Sequence, residues 1–272
     1  MKTPTGNTRV LTVIGHPVTH SLSPIMQNAA FTALGLDAVY VVSDVLPDHL
    51  SDAFTGFKAL GIGGNITFPH KVESVSKMDK IHGYAPEVGA VNTFWLEEGV
   101  LNGTNTDVDG VLHAAELIDA DGPWLVLGTG GSARAVVVAA KKLGIEIKVS
   151  SRNEARAAEF AAWARELGVR ADADDGGHVQ TIVNTTPLGL SPNDGLPVGD
   201  ERTKAADVAL DLVYRRGATP WIRKAQELGL RAMDGREVLI GQGKEALRTF
   251  FPHIDPPVEV MRGAVMEVLG TL

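Results

Sequence analysis

The chain reads as a two-domain α/β protein, and three features of its 272 residues point there. Short apolar runs rich in β-branched residues alternate with stretches of helical composition from the N-terminus onward, the pattern of a mostly parallel sheet covered by helices. At mid-chain, WLVLGTGGSARAVVVAA (residues 124–140) sets a strand, a glycine turn and a helix in a row, and a fresh strand-helix-strand series begins there. A chain of this length, 44% hydrophobic and 21% charged, has enough apolar material for the cores of two modest soluble domains.

In order, residues 10–14 (VLTVI) form the first strand candidate, stopped by Gly15. Pro17 keeps the next residues extended, and Ser23-Pro24 then fits an N-cap followed by proline at the first helical position, opening a helix over 23–34. A strand at 39–42, a helix at 48–60 and a strand at 63–67 follow, the last ended by Phe68-Pro69-His70-Lys71. Apolar runs at 91–96 and 100–103 flank Glu97-Glu98-Gly99 and predict a hairpin. After Thr106-Asp107 a helix at 111–118 leads into the glycine-turn strand at 124–127, so the domain boundary is placed near Thr106.

The second series continues with strands at 146–150, 169–171, 181–184 and 208–212 and a helix at 154–167. The acidic stretch 172–177 reads as a solvated turn in preference to a metal site. A helix at 222–228, an apolar run at 238–240, the segment GQGKEALRTFF and a helix at 259–269 close the chain. No internal repeat or low-complexity tract is present.

A formal charge of −8 argues against nucleic acid or an anionic membrane as the main partner, since neither attracts an acidic surface. The absence of cysteine excludes disulfides, thiolate catalysis and cysteine-ligated zinc. The N-terminal residues lack the apolar run of a secretory signal, and no run reaches membrane-spanning length, so a cytoplasmic protein is expected. His16 and His20 are four apart, but Pro17 between them argues against a helical metal pair, and no metal is expected. His70 is expected to face solvent.

The glycine turn has a physical logic. Strand, turn and helix present backbone N–H groups of a helix N-terminus to a phosphate. Gly128 suits the tight turn and Gly130 the close approach of a pyrophosphate, while Gly131, Ser132 and Ala133 suit close packing of helix on strand. The pattern is G-x-G-G-S-A, short of the full dinucleotide fingerprint. Other polar residues stand in loops after strands, where open α/β sheets bind ligands: Ser21, Ser23, Asn65, Thr67, Lys71, Asn92, Asp107, Tyr214 and Gln242. Each has a plain structural alternative. Ser23 or Asp107 can cap a helix, Asn65 and Asn92 can bond turn backbone, and Lys71 can be a solvated surface lysine.

The order and spacing of these residues resemble the shikimate dehydrogenase family. G-x-P-x-x-H-S-x-S-P runs from Gly15 to Pro24, and N-V-T-x-P-x-K reads here as Asn65-Ile66-Thr67-Phe68-Pro69-His70-Lys71. G-A-V-N-T is Gly89 to Thr93 unchanged, and N-T-D-G is Asn105-Thr106-Asp107 followed by Val108. N-T-T-P-L-G is Asn184 to Gly189, D-x-x-Y is Asp211 to Tyr214, and D-G-x-x-x-L-x-x-Q is Asp234 to Gln242. The resemblance spans nearly the whole chain. Val108 and Gln27, the latter standing where many relatives have histidine, depart from the pattern without removing a proposed ligand.

The resemblance implies an N-terminal substrate domain (1–106, rejoined by C-terminal helices in 240–272), a Rossmann-type NADP-binding domain (107–239) and an active-site cleft between them. It implies that Ser21 and Ser23, with Tyr214, bind the carboxylate of shikimate. Asn65, Asn92, Asp107 and Gln242 would surround the ring hydroxyls, with Thr67 nearby. A site of such partners rejects analogues lacking one hydroxyl, because its buried groups would go unpaired. Lys71 and Asp107 are the implied catalytic pair: an ammonium stabilises charge developing on the ketone oxygen of 3-dehydroshikimate and supplies its proton, and the aspartate holds it. Which of the two moves the proton is left open by the residues.

The implied cofactor set is Gly128, Thr129, Gly130, Gly131, Ser132, Ala133, Ser151, Arg152, Asn153, Arg156, Thr185, Leu212 and Gly235. An NAD site usually places a carboxylate at the end of its second strand, on the ribose 2′-hydroxyl. Here Ser150-Ser151-Arg152-Asn153 stands there with Arg156 one turn on, and two arginines suit a 2′-phosphate, so NADP is expected. Ser151 and Asn153 depart from the family's N-R-T-x-x-R/K, and Glu154 is the nearest carboxylate. Alternatives are a quinate/shikimate dehydrogenase using NAD, a methylenetetrahydrofolate dehydrogenase-like enzyme, disfavoured by H-S-L-S-P, and a non-catalytic ligand sensor, expected to lack Lys71 or Asp107. A monomer or homodimer acting on a small molecule is expected.

Overall fold

The computed structural model describes residues 3–191 and 193–270, so the outermost residues of the segments 1–106 and 240–272 lie outside the described ones. By internal contacts the chain divides into two compact units, one running to Asp107 and including Ile240–Val268, the other comprising Val108–Leu239 with Leu269 and Gly270. Asp107, one residue past the boundary drawn at Thr106, joins the first unit because Lys71 and Asn92 of that unit hold its carboxylate. Leu269 and Gly270 join the second, where their carbonyls accept hydrogen bonds from Gly217 N and Arg236 Nη1.

The first unit contains β1 (Arg9–Gly15), α1 (Ser23–Ala33), β2 (Ala38–Asp44), α2 (Leu50–Leu60) and β3 (Gly63–Ile66). The short β4 (Lys80–Ile81) and α3 (Ala85–Val88) precede a hairpin of β5 (Thr93–Glu97) and β6 (Val100–Thr104). Its sheet has the order β2-β1-β3-β5-β6-β4, and among the described strands β5 alone runs against its neighbours. β1 is buried along 11–15 because both faces are covered, which is why its sequence is a continuous apolar run. The hairpin turns through Glu98 (φ 50°) and Gly99 (φ 79°), both left-handed, the two-residue turn whose twist matches its strands. Gly64 lets β1 and β3 lie together, since a Cβ there would fall 1.8 Å from Thr12 O. Phe54 of α2 packs edge-on against Phe94 of β5 (5.3 Å between centroids) over Ile14, Ile66, Val91 and Leu101. That core brings the C-terminal end of β3 against the start of β5.

The second unit begins within α4 (Asp107–Ile118) and continues as β7 (Trp124–Leu127), α5 (Gly131–Leu143), β8 (Ile147–Ser150), α6 (Glu154–Glu166) and β9 (Ala171–Ala173). Then come β10 (Thr181–Asn184), α7 (Asp200–Lys204), β11 (Val208–Asp211), α8 (Pro220–Glu227) and β12 (Arg231–Met233). These strands are all parallel in the order β9-β8-β7-β10-β11-β12. Counted within the unit this is 3-2-1-4-5-6, the doubly wound Rossmann order, which reverses direction between β7 and β10. α9 (Arg236–Phe250) and α10 (Val258–Leu269) close the chain. No helix among the described residues is long and apolar enough to cross a membrane.

The structure corrects several local expectations. Ser23 is inside α1; Leu22, in αR geometry and without a polar side chain, is the cap residue. The strand expected at 169–171 lies at Ala171–Ala173, because Val169 is buried in the preceding turn and the edge strand itself is mostly exposed. The acidic turn is accordingly shorter than 172–177, and bases from elsewhere in the unit pair with it: Arg202 with Asp174 at 2.8 Å and Lys148 with Asp175 at 3.4 Å. The apolar run 238–240 is part of α9, whose glycines are otherwise poor helix formers. Gly243 lets α1 pack close there, since a Cβ would fall 2.1 Å from Met26 Cε and that side chain would have to shift. β4, α3, α7 and β12 are too short or too polar to show a period.

Candidate active site

The motif segments 65–71 and 89–93 are locked onto one another, and the first of them onto β1, by backbone bonds. Lys71 O accepts from Val91 N (2.8 Å), Asn92 O accepts from Ile66 N (2.8 Å), and Ile14 O accepts from Thr67 N (2.8 Å). Gly15 permits the last crossing, since a Cβ there would meet Thr67 Cγ2 at 2.5 Å. His70, expected in solvent, is instead buried and donates from Nε2 to Val45 O at 2.7 Å, which pins the loop from beneath while its neighbour Lys71 turns the other way into the site. His16 lies in a loop, its Nδ1 2.8 Å from Asp44 Oδ1.

Lys71 Nζ donates to Asp107 Oδ2 at 2.6 Å, and both side chains are more than four-fifths buried (18% and 15% exposed). The surface-lysine reading is therefore excluded. Asp107 opens α4, its N–H bonded to Asn105 Oδ1 (3.0 Å), and Asn105 is anchored in turn on Ala90 O (3.0 Å).

Asn92 takes the other side of the carboxylate, donating from Nδ2 to Asp107 Oδ1 at 2.7 Å and to Thr106 Oγ1 at 3.1 Å. Its Oδ1 accepts from Thr106 N (2.7 Å) and from Thr93 Oγ1 (2.9 Å). Both amide hydrogens of Asn65 are also used inside the protein, on Asn92 O (3.1 Å) and Thr93 Oγ1 (2.9 Å), while its Oδ1 accepts from Tyr40 Oη at 2.6 Å. Tyr40 is buried, and burial pushes its phenol far above the ordinary value, so it stays a protonated donor.

Of the other first-unit residues expected to bind substrate, Ser21 Oγ accepts from Ser23 N (3.3 Å) at the start of α1, and Thr67 follows β3 directly. Gln242 lies on α9 beside Gly243, whose carbonyl accepts from Gln27 Nε2 at 2.9 Å, so the helices bearing Ser23 and Gln242 are bonded together. Tyr214 belongs to the second unit. Sequence reasoning missed Tyr40, Thr93 and Thr106 as members of this network. Thr93 and Thr106 stand inside quoted motifs, whereas an aromatic in a strand gives no signal beyond core.

In the second unit the loops after β7, β10, β11 and β12 meet. Thr185 donates from N and Oγ1 to Leu127 O (3.0 and 2.7 Å), and Gly128, at φ 108°, lies so close that a Cβ would meet Thr185 Oγ1 at 2.7 Å. Gly235 is pressed on Leu212, whose carbonyl would be 2.2 Å from a Cβ. Beneath them the buried Asp211 accepts from Asn184 Nδ2 (2.8 Å), Val213 N (3.0 Å) and Thr219 Oγ1 (2.8 Å). Burial pushes its carboxyl up to about 7, and the nearby Asp234 adds to the rise. Asp234 is itself pushed up to about 6 by burial, against the pull of Arg236.

A Cβ at Gly130 or Gly131, at the N-terminus of α5, would meet nothing within 4 Å. The open space fits a pyrophosphate against the helix N–H groups, and it corrects the packing role expected of Gly131; the buried Ala133 makes that contact. At the end of β8, Ser151 Oγ accepts from Asn153 N (3.4 Å), and Asn153 is the N-cap of α6, its Oδ1 accepting from Arg156 N (3.1 Å). Arg152 and Arg156 are exposed, with no acidic partner among the described residues. The residues present thus fit a dinucleotide with a phosphorylated ribose.

A Rossmann unit with an open glycine loop, in one chain with a buried lysine–aspartate pair, defines a nicotinamide-dinucleotide oxidoreductase. Within that class the chain belongs to the shikimate dehydrogenase family. Residues 13–94 match the family model described as the shikimate dehydrogenase substrate binding domain. The chain is 39% identical to the shikimate dehydrogenase (NADP(+)) of Methanothermobacter thermautotrophicus over 98% of its length and 99% of that protein's. A crystal structure of a shikimate dehydrogenase in complex with NADP+ matches with a TM-score of 0.90 at 35% identity, covering 99% of this chain and 98% of the other. The Thermus thermophilus shikimate 5-dehydrogenase, in complex with NADP(H) and shikimate, matches with a TM-score of 0.87 at 34% identity, covering 95% and 99%.

Proposed function

We propose that this protein catalyses the reversible reduction of 3-dehydroshikimate to shikimate with NADPH, and that Lys71 and Asp107 are its catalytic pair. The observation that supports this most directly is the 2.6 Å contact of Lys71 Nζ with an Asp107 carboxylate that Asn92 holds from its other oxygen. Asp107 accepts from both neighbours, which leaves Lys71 as the member of the pair with N–H groups to give. As hydride reaches the carbonyl carbon, the oxygen gains negative charge, and the ammonium stabilises that charge and delivers a proton to it. In the oxidation direction Lys71 acts as the amine left by that transfer: it takes the proton of the ring hydroxyl as hydride leaves the carbon, and exchange of a proton with solvent completes the cycle in either direction.

NADPH, when bound, supplies the hydride; the chain's residues bind and orient. Gly130, Gly131 and the N-terminus of α5 would hold the pyrophosphate, and Arg152 with Arg156 would take the 2′-phosphate. Ser151, Thr185, Leu212 and Gly235 would shape the nucleotide side. Ser21 and Ser23, with the hydroxyl of Tyr214 as the family pattern implies, would bind the substrate carboxylate, and Asn65, Thr67, Asn92 and Gln242 its ring hydroxyls.

The test is the initial rate with shikimate or quinate and NADP or NAD, in all four pairings, for the wild type and Lys71→Met. Dominance of shikimate with NADP and a loss of about 10²–10⁴ in kcat for Lys71→Met, with shikimate still bound, is the expected result. Dominance of quinate or NAD overturns the substrate or cofactor assignment, and an unimpaired Lys71→Met overturns the pair.

A further inference from the structure

Polar bonds from Tyr40 to Asp107 run as one chain through Asn65, Thr93 and Asn92, and backbone groups set the orientation of its two amides. Asn92 O and the Thr106 N–H can each play a single part, one accepting and one donating. The first obliges the Asn65 amide nitrogens to face it, which turns Asn65 Oδ1 toward Tyr40, and the Tyr40 hydroxyl must then donate. The second obliges Asn92 Oδ1 to face it, which turns the Asn92 amide nitrogen onto Asp107. Thr93 Oγ1 links the halves, accepting from Asn65 Nδ2 and donating to Asn92 Oδ1. The far end is held too: Asn28 grips Tyr40 by its backbone, Nδ2 to Tyr40 O (2.8 Å) and Oδ1 from Tyr40 N (2.9 Å). Every member from Tyr40 to Thr93 is buried.

We infer that Tyr40 is a positioning residue for the substrate site: its hydroxyl fixes the orientation of Asn65 and, through Thr93 and Asn92, steadies Asp107. This rests on the shikimate dehydrogenase reading above. With both amide hydrogens committed inside the protein, Asn65 meets a ring hydroxyl as an acceptor, through the second lone pair of the oxygen that Tyr40 holds. Without the phenol, Asn65 Oδ1 loses its only donor among the described residues and the amide is free to reorient.

Tyr40→Phe removes one oxygen and keeps the ring that fills the core. In the full-length enzyme the expected outcome is a rise of about tenfold in KM for shikimate, a smaller fall in kcat and an unchanged KM for NADP. A purely structural hydroxyl would not produce that split. Asn65→Ala and the double variant complete a cycle: if Tyr40 acts through Asn65, adding Tyr40→Phe to Asn65→Ala changes the shikimate KM no further. An active wild type with an unchanged KM in Tyr40→Phe, or additive effects in the double variant, overturns the inference alone. A wild type that does not turn over shikimate overturns the functional reading and the inference with it.

Discussion

Asn92 and Asp107 meet at 2.7 Å, amide to carboxylate, on the side of the aspartate opposite Lys71. Asn92 is nearly fully buried, and it carries Thr106 N, Thr106 Oγ1 and Thr93 Oγ1 besides the carboxylate. Asn92→Ala should therefore orphan a buried backbone N–H and free Asp107 at once. The expected cost is about 1–3 kcal/mol of stability by urea titration and a fall of about 10–100-fold in kcat/KM. Loss of stability with full activity would show that Asp107 needs no holder.

The glycine loop separates two roles that its sequence runs together. At Gly128 the backbone is left-handed (φ 108°) and Thr185 Oγ1 stands where a Cβ would go, so Gly128→Ala should lower the melting temperature. Gly131 faces open space at the start of α5, so Gly131→Ala should melt at or above the wild-type temperature while NADP binding weakens. Titrating NADP into each variant beside a thermal melt checks both. Undiminished affinity in Gly131→Ala would place the pyrophosphate elsewhere.

What the sequence made legible follows from where each residue sits. β7 was readable to the residue, because a strand buried on both faces is an uninterrupted apolar run between punctuating residues. β9 and β12 are short edge strands with mostly exposed or half-buried residues, so no period marks them. Lys71, Asn92 and Asp107 were readable because they stand in motifs. His70 was misjudged because a histidine beside a charged residue looks solvated, and its acceptor, Val45 O, is 25 residues away in the chain. Tyr40 was invisible for the same reason: what distinguishes it from a core aromatic is Asn65, also 25 residues distant.

Arg152 and Arg156 stand exposed at the end of β8 and the first turn of α6, where a ribose 2′-phosphate is proposed to bind. Asn153 is occupied as the cap of α6, which leaves the guanidinium groups to discriminate between the cofactors. Arg152→Ala and Arg156→Ala should each raise KM for NADP by about 10–100-fold, as loss of a charge-assisted bond does, and leave KM for NAD nearly unchanged. Steady-state kinetics with both cofactors decide it; equal weakening of NADP and NAD would remove the arginines from the 2′-phosphate.

Asp211 should make the protein's stability fall as the solution is made less acidic. Its carboxyl is raised from the ordinary 3.8 to about 7 by burial, with Asp234 nearby adding to the rise and the bonds from Val213, Thr219 and Asn184 opposing it. Between about pH 4 and pH 7 the folded chain thus holds a proton that the unfolded chain has released. The stability contributed by that proton is complete below the unfolded value and is lost as pH rises through the folded one, at no more than about 1.4 kcal/mol per pH unit. Asp211→Asn cannot titrate, yet its side-chain oxygen can still accept from Asn184 and Val213, and its nitrogen can donate to Thr219 Oγ1. The stability advantage of wild type over variant should shrink from about pH 5 to pH 8 when urea midpoints are compared. The Asp234–Arg236 pair remains in both proteins and contributes in the same direction to each. Parallel midpoint curves across that range would mean that Asp211 is ionised in the fold and that its three donors outweigh its burial.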